Sequence, residues 1–326
     1  MDEIKVSIVI PCYNEEKNIE RFTDELFPEL DKLGMSYEVI AVDDGSTKDK
    51  TWDVMKKLAR VNEKFVALKH SRNYGMGAAY QSAFDAIKGE YIITFSSDLE
   101  IPAKYIKEVI KKLEEGNDFV NTYRTGRWKE SVKGSLVRRI PSDIANNLIE
   151  KISGVKVKDT GSGLKGFKRF IVENMKIYGD MHRFLPAYSS LYTKNVVEIP
   201  VEYKERTYGT PAYGSLKRTF SVFLDLLTMK FMLSFATKPF SMMPGRIFGT
   251  SGLAALFFGG LLTAYMVFLK IVFGQSIGDR PLFIGGLVLV LFGIQLVMTG
   301  LLGELMMRIY FESSGRRPYI VSDKVN

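Results

Sequence analysis

The chain is poor in the residues that usually build disulfides and transition-metal sites. Its 326 residues include one cysteine, Cys12, and two histidines, His70 and His182. One cysteine excludes a disulfide within the chain, and two histidines leave little material for a zinc site. The N-terminal sequence MDEIKVSIVI has no long apolar run, so we expect no signal peptide. The net charge of +8 is low for nucleic-acid binding, and we expect no nucleic-acid partner, but it suits anionic lipid or phosphate-bearing substrates.

Charged side chains are missing from two stretches near the C-terminal end, Ile247–Leu269 and Pro281–Gly303. Each stretch has 23 residues by subtraction of its limits, which as a helix is enough to cross about 30 Å of hydrocarbon. Two consecutive stretches of this kind predict a membrane hairpin rather than a buried core helix. The outer flanks are more basic than the connecting loop, so we predict an integral membrane protein with both termini, and therefore the N-terminal part of the chain, in the cytoplasm.

Short apolar runs alternate with helical patterns in the first part of the chain. Strands are predicted at Lys5–Ile10, Tyr37–Val42, Phe65–Lys69, Ile92–Phe95, Asp118–Thr122 and Val196–Tyr203. Helices are predicted at Asn18–Leu33, around Trp52–Leu58 with Ser46 or Thr47 as the cap, and at Ala78–Ile87, Ala103–Glu115 and Ser142–Ser153. This alternation predicts an α/β domain with a mostly parallel sheet. The later stretch Thr219–Phe235 is amphipathic and suits a helix at the bilayer interface, with an ordinary core helix as the alternative.

Polar side chains follow four of the predicted strands. The first strand is followed by Pro11, Tyr13, Asn14 and Glu15, and the second by Asp43 and Asp44. The third is followed by Arg72 and Asn73, and the fourth by Ser96, Ser97, Asp98 and Glu100. Any one of these could be a helix cap or a solvated turn. The ends of parallel strands meet at one edge of a sheet, where ligands bind. Carboxylates for ribose hydroxyls and a carboxylate pair for a divalent cation would together suit a nucleoside diphosphate.

Asp98 and Glu100 are the strongest candidates for metal ligands. They follow the buried run of YIITFSSDLEIP and are separated by one residue. Mg²⁺ and Mn²⁺ prefer such hard oxygen ligands. The alternative is an acidic turn that caps the next helix, with Pro102 in its first turn.

Several motifs, in this order, resemble the GT-A catalytic domain of the inverting family 2 glycosyltransferases: IVIPCYNEEKNI, VDDGSTKDKT, SRNYGMGAAYQSAF and SSDLEIP. The later motifs DTGSGLKGFKR, MHRFLPA and RTYG…GSLKR, with the two apolar runs, resemble the polyprenyl-phosphate glycosyltransferases. The resemblance implies a Rossmann-like, mostly parallel α/β domain over residues 1–218. An interfacial helix region would follow over 219–245, then a transmembrane hairpin over 246–310 and a cytoplasmic tail over 311–326.

The resemblance also implies roles in binding the donor. Pro11, Tyr13, Glu15, Asp43 and Asp44 would hold the nucleoside, with Asp44 near the base, although Tyr13 could instead be a core residue. Asn14, Arg72, Asn73, Ser97 and Ser215 are the further donor-binding candidates. The family's metal turn reads Asp-x-Asp-x-Gln, whereas this chain has Ser96, Asp98 and Glu100 at those positions. We expect Asp98 and Glu100 to bind Mg²⁺ or Mn²⁺, and a metal-independent enzyme is the alternative.

The catalytic candidates concern the acceptor phosphate. A phosphate monoester is mostly a dianion at neutral pH, so it needs no strong base. Asp159 matches the aspartate often assigned as the family's base, and we expect it to orient the acceptor or the sugar; a base or a turn cap are the other possibilities. Cationic groups that match the family would stabilise the phosphates, namely Arg124, Arg139, Arg206 and Lys217.

The sequence therefore predicts the transfer of a hexose-type sugar from a UDP- or GDP-sugar to a polyprenyl phosphate, with inversion, at the membrane surface. One alternative is transfer to a hydroxyl of a lipid or polysaccharide, which would need Asp159 as a base. The other is a catalytically degenerate scaffold subunit, suggested by Ser96. Glycines in the apolar runs would allow close helix contacts, so we expect a homo-oligomer.

Overall fold

The computed structural model describes residues 3–125, 157–177, 179–208, 244–278 and 280–314. The chain divides into two compact units, an N-terminal α/β unit and a C-terminal helical unit. Some of the sequence predictions lie outside the described residues. They are the helix Ser142–Ser153, the amphipathic stretch Thr219–Phe235 and the candidates Arg139, Ser215 and Lys217.

The described part of the α/β unit contains a seven-stranded sheet. Its strands are β1 (Val6–Cys12), β2 (Tyr37–Asp43), β3 (Phe65–Lys69), β4 (Tyr91–Thr94), β5 (Phe119–Thr125), β6 (Lys165–Lys168) and β7 (Val196–Glu202). The spatial order is β3-β2-β1-β4-β6-β5-β7. β6 runs antiparallel to its neighbours β4 and β5, and the other neighbouring pairs are parallel. The predicted α/β class with a mostly parallel sheet is confirmed.

Helices cover both faces of the sheet. They are α1 (Glu16–Glu20), α2 (Phe27–Asp31), α3 (Thr51–Val61), α4 (Met76–Phe84), α5 (Tyr105–Glu114), α6 (Arg169–Asn174) and α7 (Leu185–Ser189). Successive residues of β1 point to opposite faces, so Ile8 and Ile10 join one apolar cluster and Val9 joins the other. A strand that is buried on both faces has a continuous apolar run, which is why β1 and β2 could be predicted from the sequence.

Some helix boundaries differ from the predictions. The predicted helix Asn18–Leu33 consists of α1, a π-helical turn at Phe22–Leu26 and α2, and Pro28 has no N–H to continue a regular ladder. The predicted cap of α3 was wrong: the Ser46 hydroxyl accepts the Asn14 N–H at 2.8 Å, whereas the Asp49 carboxylate accepts the Thr51 N–H at 3.0 Å. The helix after β4 begins at Tyr105, so Pro102 lies before it.

Strand β6 was not predicted, because its sequence is KGFK and carries a lysine at each end. Lys165 and Phe167 are nevertheless buried, and Gly166 lies so close to α5 that a Cβ atom there would be 2.4 Å from Cγ1 of Val109. Lys165 is paired with Thr94 of β4 and with Asn121 of β5. Because β6 is antiparallel, the segment that precedes it reaches the edge at which β4 and β5 end.

The C-terminal unit consists, in its described residues, of α8 (Pro244–Phe273) and α9 (Pro281–Ser314). Both helices are long and apolar enough to cross a membrane. Glycines allow their backbones to approach closely. A Cβ atom on Gly252 would be 2.8 Å from the Gly293 carbonyl oxygen, and one on Gly259 would be 2.9 Å from that of Gly286. These glycines therefore serve the packing of the hairpin itself.

Candidate active site

A tight turn after β4 brings Asp98 and Glu100 together. Leu99 lies between them with a φ of 56°, a left-handed conformation that is unfavourable for a bulky side chain. The Leu99 side chain is buried in the core, and the Glu100 N–H donates to Oδ1 of Asp98 at 3.2 Å. Core packing and this hydrogen bond hold the turn, so the two carboxylates lie on the same side of it.

Arg206, which follows β7, bridges these two carboxylates. Its Nη2 lies 2.7 Å from Oδ2 of Asp98, and its Nε donates to Oε1 of Glu100 at 2.5 Å. Asp98 is only 7% exposed. Burial raises the pKa of Asp98, and the negative charge of Glu100 raises this pKa further, whereas Arg206 opposes the rise. The guanidinium group thus offsets a repulsion between two poorly solvated carboxylates.

A second arginine, Arg124 of β5, continues this row of charges. It binds Asp159 with two charge-assisted hydrogen bonds, from Nε at 2.8 Å and from Nη2 at 3.1 Å, and its Nη1 lies 3.5 Å from Oε2 of Glu100. The Arg124 side chain is 4% exposed. Asp98, Arg206, Glu100, Arg124 and Asp159 therefore form one row of alternating charge, which we call the charge row. In it, three carboxylates face two guanidinium groups.

Polar residues beneath Asp159 fix its loop. The Asn121 amide donates to the Asp159 carbonyl at 3.1 Å, and the Thr122 hydroxyl donates to the Leu164 carbonyl at 2.7 Å. The ammonium group of Lys165 contacts the Ser162 carbonyl. Lys165 is 3% exposed, and burial lowers its pKa to about 8. Lys165 was not predicted from the sequence. The only signal was weak: Lys165 lies between the apolar residues Leu164 and Phe167, in a short run that could form a strand.

The predicted nucleoside residues lie at the ends of β1 and β2. Oδ1 of Asp43 accepts the Ser46 N–H at 3.0 Å, whereas Oδ2 is buried and has no hydrogen-bond partner among the described residues. The Asp44 carboxylate accepts the N–H groups of Tyr74 at 2.9 Å and Gly75 at 2.8 Å, and it lies 2.7 Å from Nδ1 of His70. Asp44 therefore supports the loop after β3, and its contact with a base stays a prediction.

The remaining predicted residues, which follow β1, differ in their surroundings. The Asn14 side chain accepts the backbone N–H groups of Thr47 at 3.2 Å and Lys48 at 3.0 Å, so it connects the loops after β1 and β2. Tyr13 is 42% exposed, which excludes the alternative that it is a core residue. The Glu15 carboxylate accepts from the Asn18 amide at 2.5 Å. Burial raises the pKa of Glu15, Asn18 opposes this, and the charge of Asp98 adds to the rise.

The loop after β3 packs closely on the loop after β2. Gly45 has a φ of 68°, and a Cβ atom there would be 2.4 Å from the carbonyl carbon of Arg72 and 2.6 Å from the nitrogen of Asn73. The Arg72 guanidinium stacks on the Tyr74 ring, 4.6 Å from its centroid. Ser97 is buried beside Asp98, and Pro11 is partly buried at the end of β1. The polar ends of β1, β2, β3 and β4 thus share one edge of the sheet.

No group of three or more His, Cys, Asp or Glu side chains arranged to hold a metal is found in the described part of the chain. Asp98 and Glu100 supply hard oxygen atoms of the kind that Mg²⁺ and Mn²⁺ prefer, and their combined charge suits a divalent cation. Mg²⁺ commonly binds through one or two carboxylates together with substrate phosphates and water. The pair therefore fits such an ion, provided that a substrate completes its coordination.

Comparisons with known proteins identify the family to which the chain belongs. Residues 7–175 match the model of the glycosyl transferase family 2. The chain is 32% identical over 324 residues to a dodecaprenyl-phosphate galacturonate synthase of Rhizobium johnstonii, with 98% of this chain and 93% of that protein covered.

It is also 32% identical over 319 residues to an undecaprenyl-phosphate 4-deoxy-4-formamido-L-arabinose transferase of Shewanella sediminis, covering 98% and 92% of the two chains. A mannosyl-3-phosphoglycerate synthase from Rubrobacter xylanophilus shares the fold, with a TM-score of 0.52, 15% identity and coverage of 70% and 73%. The chain therefore belongs to glycosyl transferase family 2 and, within it, to the polyprenyl-phosphate glycosyltransferases.

Proposed function

We propose that this glycosyltransferase moves a sugar from a nucleoside diphosphate donor to a polyprenyl phosphate, with inversion at the anomeric carbon. The charge row is the observation that carries the proposal. It contains carboxylates that suit a metal-bound diphosphate and arginines that suit an acceptor phosphate, within one connected set of ion pairs. Electrostatic stabilisation of this kind usually contributes more to catalysis than any other single effect.

The donor's nucleoside would bind at the ends of β1 and β2. Oδ2 of Asp43, which has no hydrogen-bond partner among the described residues, is an acceptor that suits an N–H group of the base, since a buried oxygen without a partner is costly. The exposed ring of Tyr13 is available for stacking on the base. These features suit a UDP-sugar or a GDP-sugar, because uracil and guanine both carry a ring N–H.

The diphosphate would bind beside Asp98 and Glu100, which would hold Mg²⁺ or Mn²⁺. When bound, the ion neutralises charge that develops on the departing nucleoside diphosphate. The charges beside the proposed ion support its presence, because Asp98 and Glu100 are both acidic and the donor would add further negative charge next to them. Arg206 and Arg124 would contribute positive charge on the side of the acceptor.

The acceptor phosphate attacks as a dianion, which makes a strong general base unnecessary. Both carboxylate oxygens of Asp159 accept hydrogen bonds from Arg124, so this residue is poorly placed to collect a proton. We propose that Asp159 orients the Arg124 guanidinium toward the acceptor phosphate. The same arrangement disfavours transfer to a sugar hydroxyl, for which a free base would be needed.

The donor sugar and the membrane orientation are further parts of the proposal. The relatives are named for galacturonate and for 4-deoxy-4-formamido-L-arabinose, so we propose a sugar of one of these two classes. We also propose that the α/β unit and both termini lie in the cytoplasm, next to anionic lipid, and that the protein forms a homo-oligomer. A domain limit near residue 218 and an interfacial helix region over 219–245 belong to the same proposal.

The test uses the full chain in membranes with a polyprenyl phosphate and a panel of labelled donors. The panel contains UDP-galacturonate, UDP-4-deoxy-4-formamido-L-arabinose, UDP-glucose and GDP-mannose. We expect one donor to give a lipid-monophosphate sugar. Asp98→Asn should lower the rate about 100-fold or more, because it removes a charge that the cation needs.

Lys104→Ala is the matched control, since it removes only an exposed ion pair with Glu202 and a contact with the Tyr105 ring, neither of which involves the charge row, and it should leave the rate unchanged. Transfer to a hydroxyl acceptor alone would contradict the proposal. The absence of turnover with every donor would favour a scaffold role instead.

A further inference from the structure

Arg206 occupies the place that the proposed cation would need. Its guanidinium group reaches Oδ2 of Asp98 and Oε1 of Glu100, at 2.7 and 2.5 Å. The other oxygens of these carboxylates have different partners. Oδ1 of Asp98 accepts the Glu100 N–H, and Oε2 of Glu100 faces Arg124. Asp98 and Glu100, each of which directs one oxygen to Arg206, are the residues that would hold a metal ion.

A guanidinium group and a metal ion cannot bind the same two oxygens at once. The distances around Arg206 are those of direct, charge-assisted hydrogen bonds, which leave no room for an ion between the groups. The carboxylates are largely buried, with side-chain exposures of 8% and 14%, so leaving them without a cation would be costly. A metal ion can bind here only if Arg206 moves away.

The two arginines of the charge row differ in how firmly they are held. Arg124 lies in β5, is almost fully buried and binds Asp159 with two hydrogen bonds. Arg206 lies beyond the end of β7, outside any helix or strand, and its side chain is 27% exposed. The Lys204 N–H donates to the Glu100 carbonyl at 2.8 Å and aligns this segment with the turn. Arg206 is thus the arginine that can leave without disrupting a strand.

We propose that Arg206 is the resident cation of the donor-free site and that the divalent ion replaces it. This inference rests on the proposed function for the assignment of Asp98 and Glu100 as metal ligands. Replacement of one positive charge by two compensates part of the charge of the incoming diphosphate. The released guanidinium group then becomes available to the acceptor phosphate, which orders the events as donor and metal first and acceptor second.

Competition of this kind appears directly in metal affinity. The ion pairs of Arg206 must break before the cation binds, so their free energy weakens the measured affinity for the cation. In the same way, a bound cation weakens the binding of Arg206 to the two carboxylates. Arg206→Gln should therefore bind Mn²⁺ about tenfold or more tightly than the wild type in the absence of nucleotide. The measurement is the concentration of free Mn²⁺, followed by electron paramagnetic resonance, with the full chain in detergent.

Two further variants make the result specific. Arg206→Lys keeps the positive charge but has one ammonium group in place of a planar fork, so its Mn²⁺ affinity should lie between those of the wild type and Arg206→Gln. Lys104→Ala removes an exposed positive charge that does not touch Asp98 or Glu100, so it should match the wild type. Melting temperatures of all variants verify that they are folded.

Equal Mn²⁺ affinities of the wild type, Arg206→Gln and Arg206→Lys would overturn the inference. So would the absence of Mn²⁺ binding in every variant, including Arg206→Gln. Neither result depends on sugar transfer. Sugar transfer to polyprenyl phosphate in the presence of a chelator, without competition between Mn²⁺ and Arg206, would support the transfer and contradict the inference. Competition between Mn²⁺ and Arg206 in a protein that uses another acceptor would support the inference and contradict the transfer. The two proposals therefore fail in distinguishable ways.

Discussion

At the residue scale, the pairing of Asp159 with Arg124 leads to a clear expectation for Asp159→Asn. Asparagine keeps one oxygen acceptor and the shape of the side chain, so Arg124 should stay near its position. We expect activity within a few-fold of the wild type, with most of the change in the KM for polyprenyl phosphate and the same pH profile. Steady-state kinetics at several pH values test this.

Complete loss of activity in Asp159→Asn would instead leave the base role standing, since removal of a general base typically costs a factor of about 10² to 10⁴. Asp159→Ala is the comparison variant. It removes both acceptors from Arg124 and should be more impaired than Asp159→Asn.

Lys165 gives a second prediction, on the pH dependence of stability. Its pKa is lowered from 10.5 to about 8 in the folded protein, because the ammonium group is buried. Between these values the unfolded chain binds more protons, so this residue destabilises the fold below pH 8 and the penalty disappears as pH rises to about 10.5. Relative to Lys165→Met, the wild type should gain about 3 kcal/mol across this window.

The free energy of unfolding of both proteins is measured at several pH values. Groups that titrate in both proteins cancel from the difference between the two free energies. A difference that stays constant with pH would contradict the assignment of a buried, charged Lys165.

The sequence predicted the members of the charge row better than their partners. Asp98, Glu100, Arg124, Asp159 and Arg206 were all singled out, and they lie together. The bridging by Arg206 and the burial of Lys165 could not be predicted, because both depend on contacts between segments far apart in the chain. Polar strand ends indicate which groups meet at an edge, but not which group neutralises which.

At the scale of secondary structure, β6 shows why part of the site cannot be predicted from sequence pattern. Parallel α/β sheets place ligand-binding residues after strands, and Asp159 precedes one. Its entry into the site depends on the antiparallel direction of β6 between β4 and β5. A four-residue strand with two lysines has no apolar periodicity, so the pattern indicates the strand only weakly and does not indicate its direction.

The glycines of the hairpin allow a matched test of helix packing. A Cβ atom on Gly252 would be 2.8 Å from the Gly293 carbonyl oxygen and from Val297, whereas nothing lies within 4 Å of one on Gly249. Gly252→Ala should therefore push α8 and α9 apart and lower the melting temperature of the protein in detergent. Gly249→Ala should be neutral or slightly stabilising, because alanine favours a helix by about 1 kcal/mol over glycine. Equal effects of the two substitutions would contradict the close packing.

At the scale of the whole molecule, the prediction concerns orientation in the membrane. The short loop between α8 and α9 has fewer basic residues than the outer flanks, so it should face away from the cytoplasm. A cysteine introduced as Ser276→Cys should react with a membrane-impermeant maleimide in intact cells. Thr23→Cys, on the exposed surface of the α/β unit, should react only after permeabilisation. The reverse pattern would place the catalytic unit outside.

Such labelling requires that the single native thiol, Cys12, does not react with the maleimide. Cys12 is 2% exposed, and burial together with nearby carboxylates raises its pKa well above the ordinary range, so little reactive thiolate forms. The wild-type chain thus already serves as its own unlabelled background. Spin labels or fluorophores can therefore be attached at an introduced exposed cysteine without first replacing Cys12, and the proposed departure of Arg206 from Asp98 can be tested as a change in distance when Mn²⁺ is added.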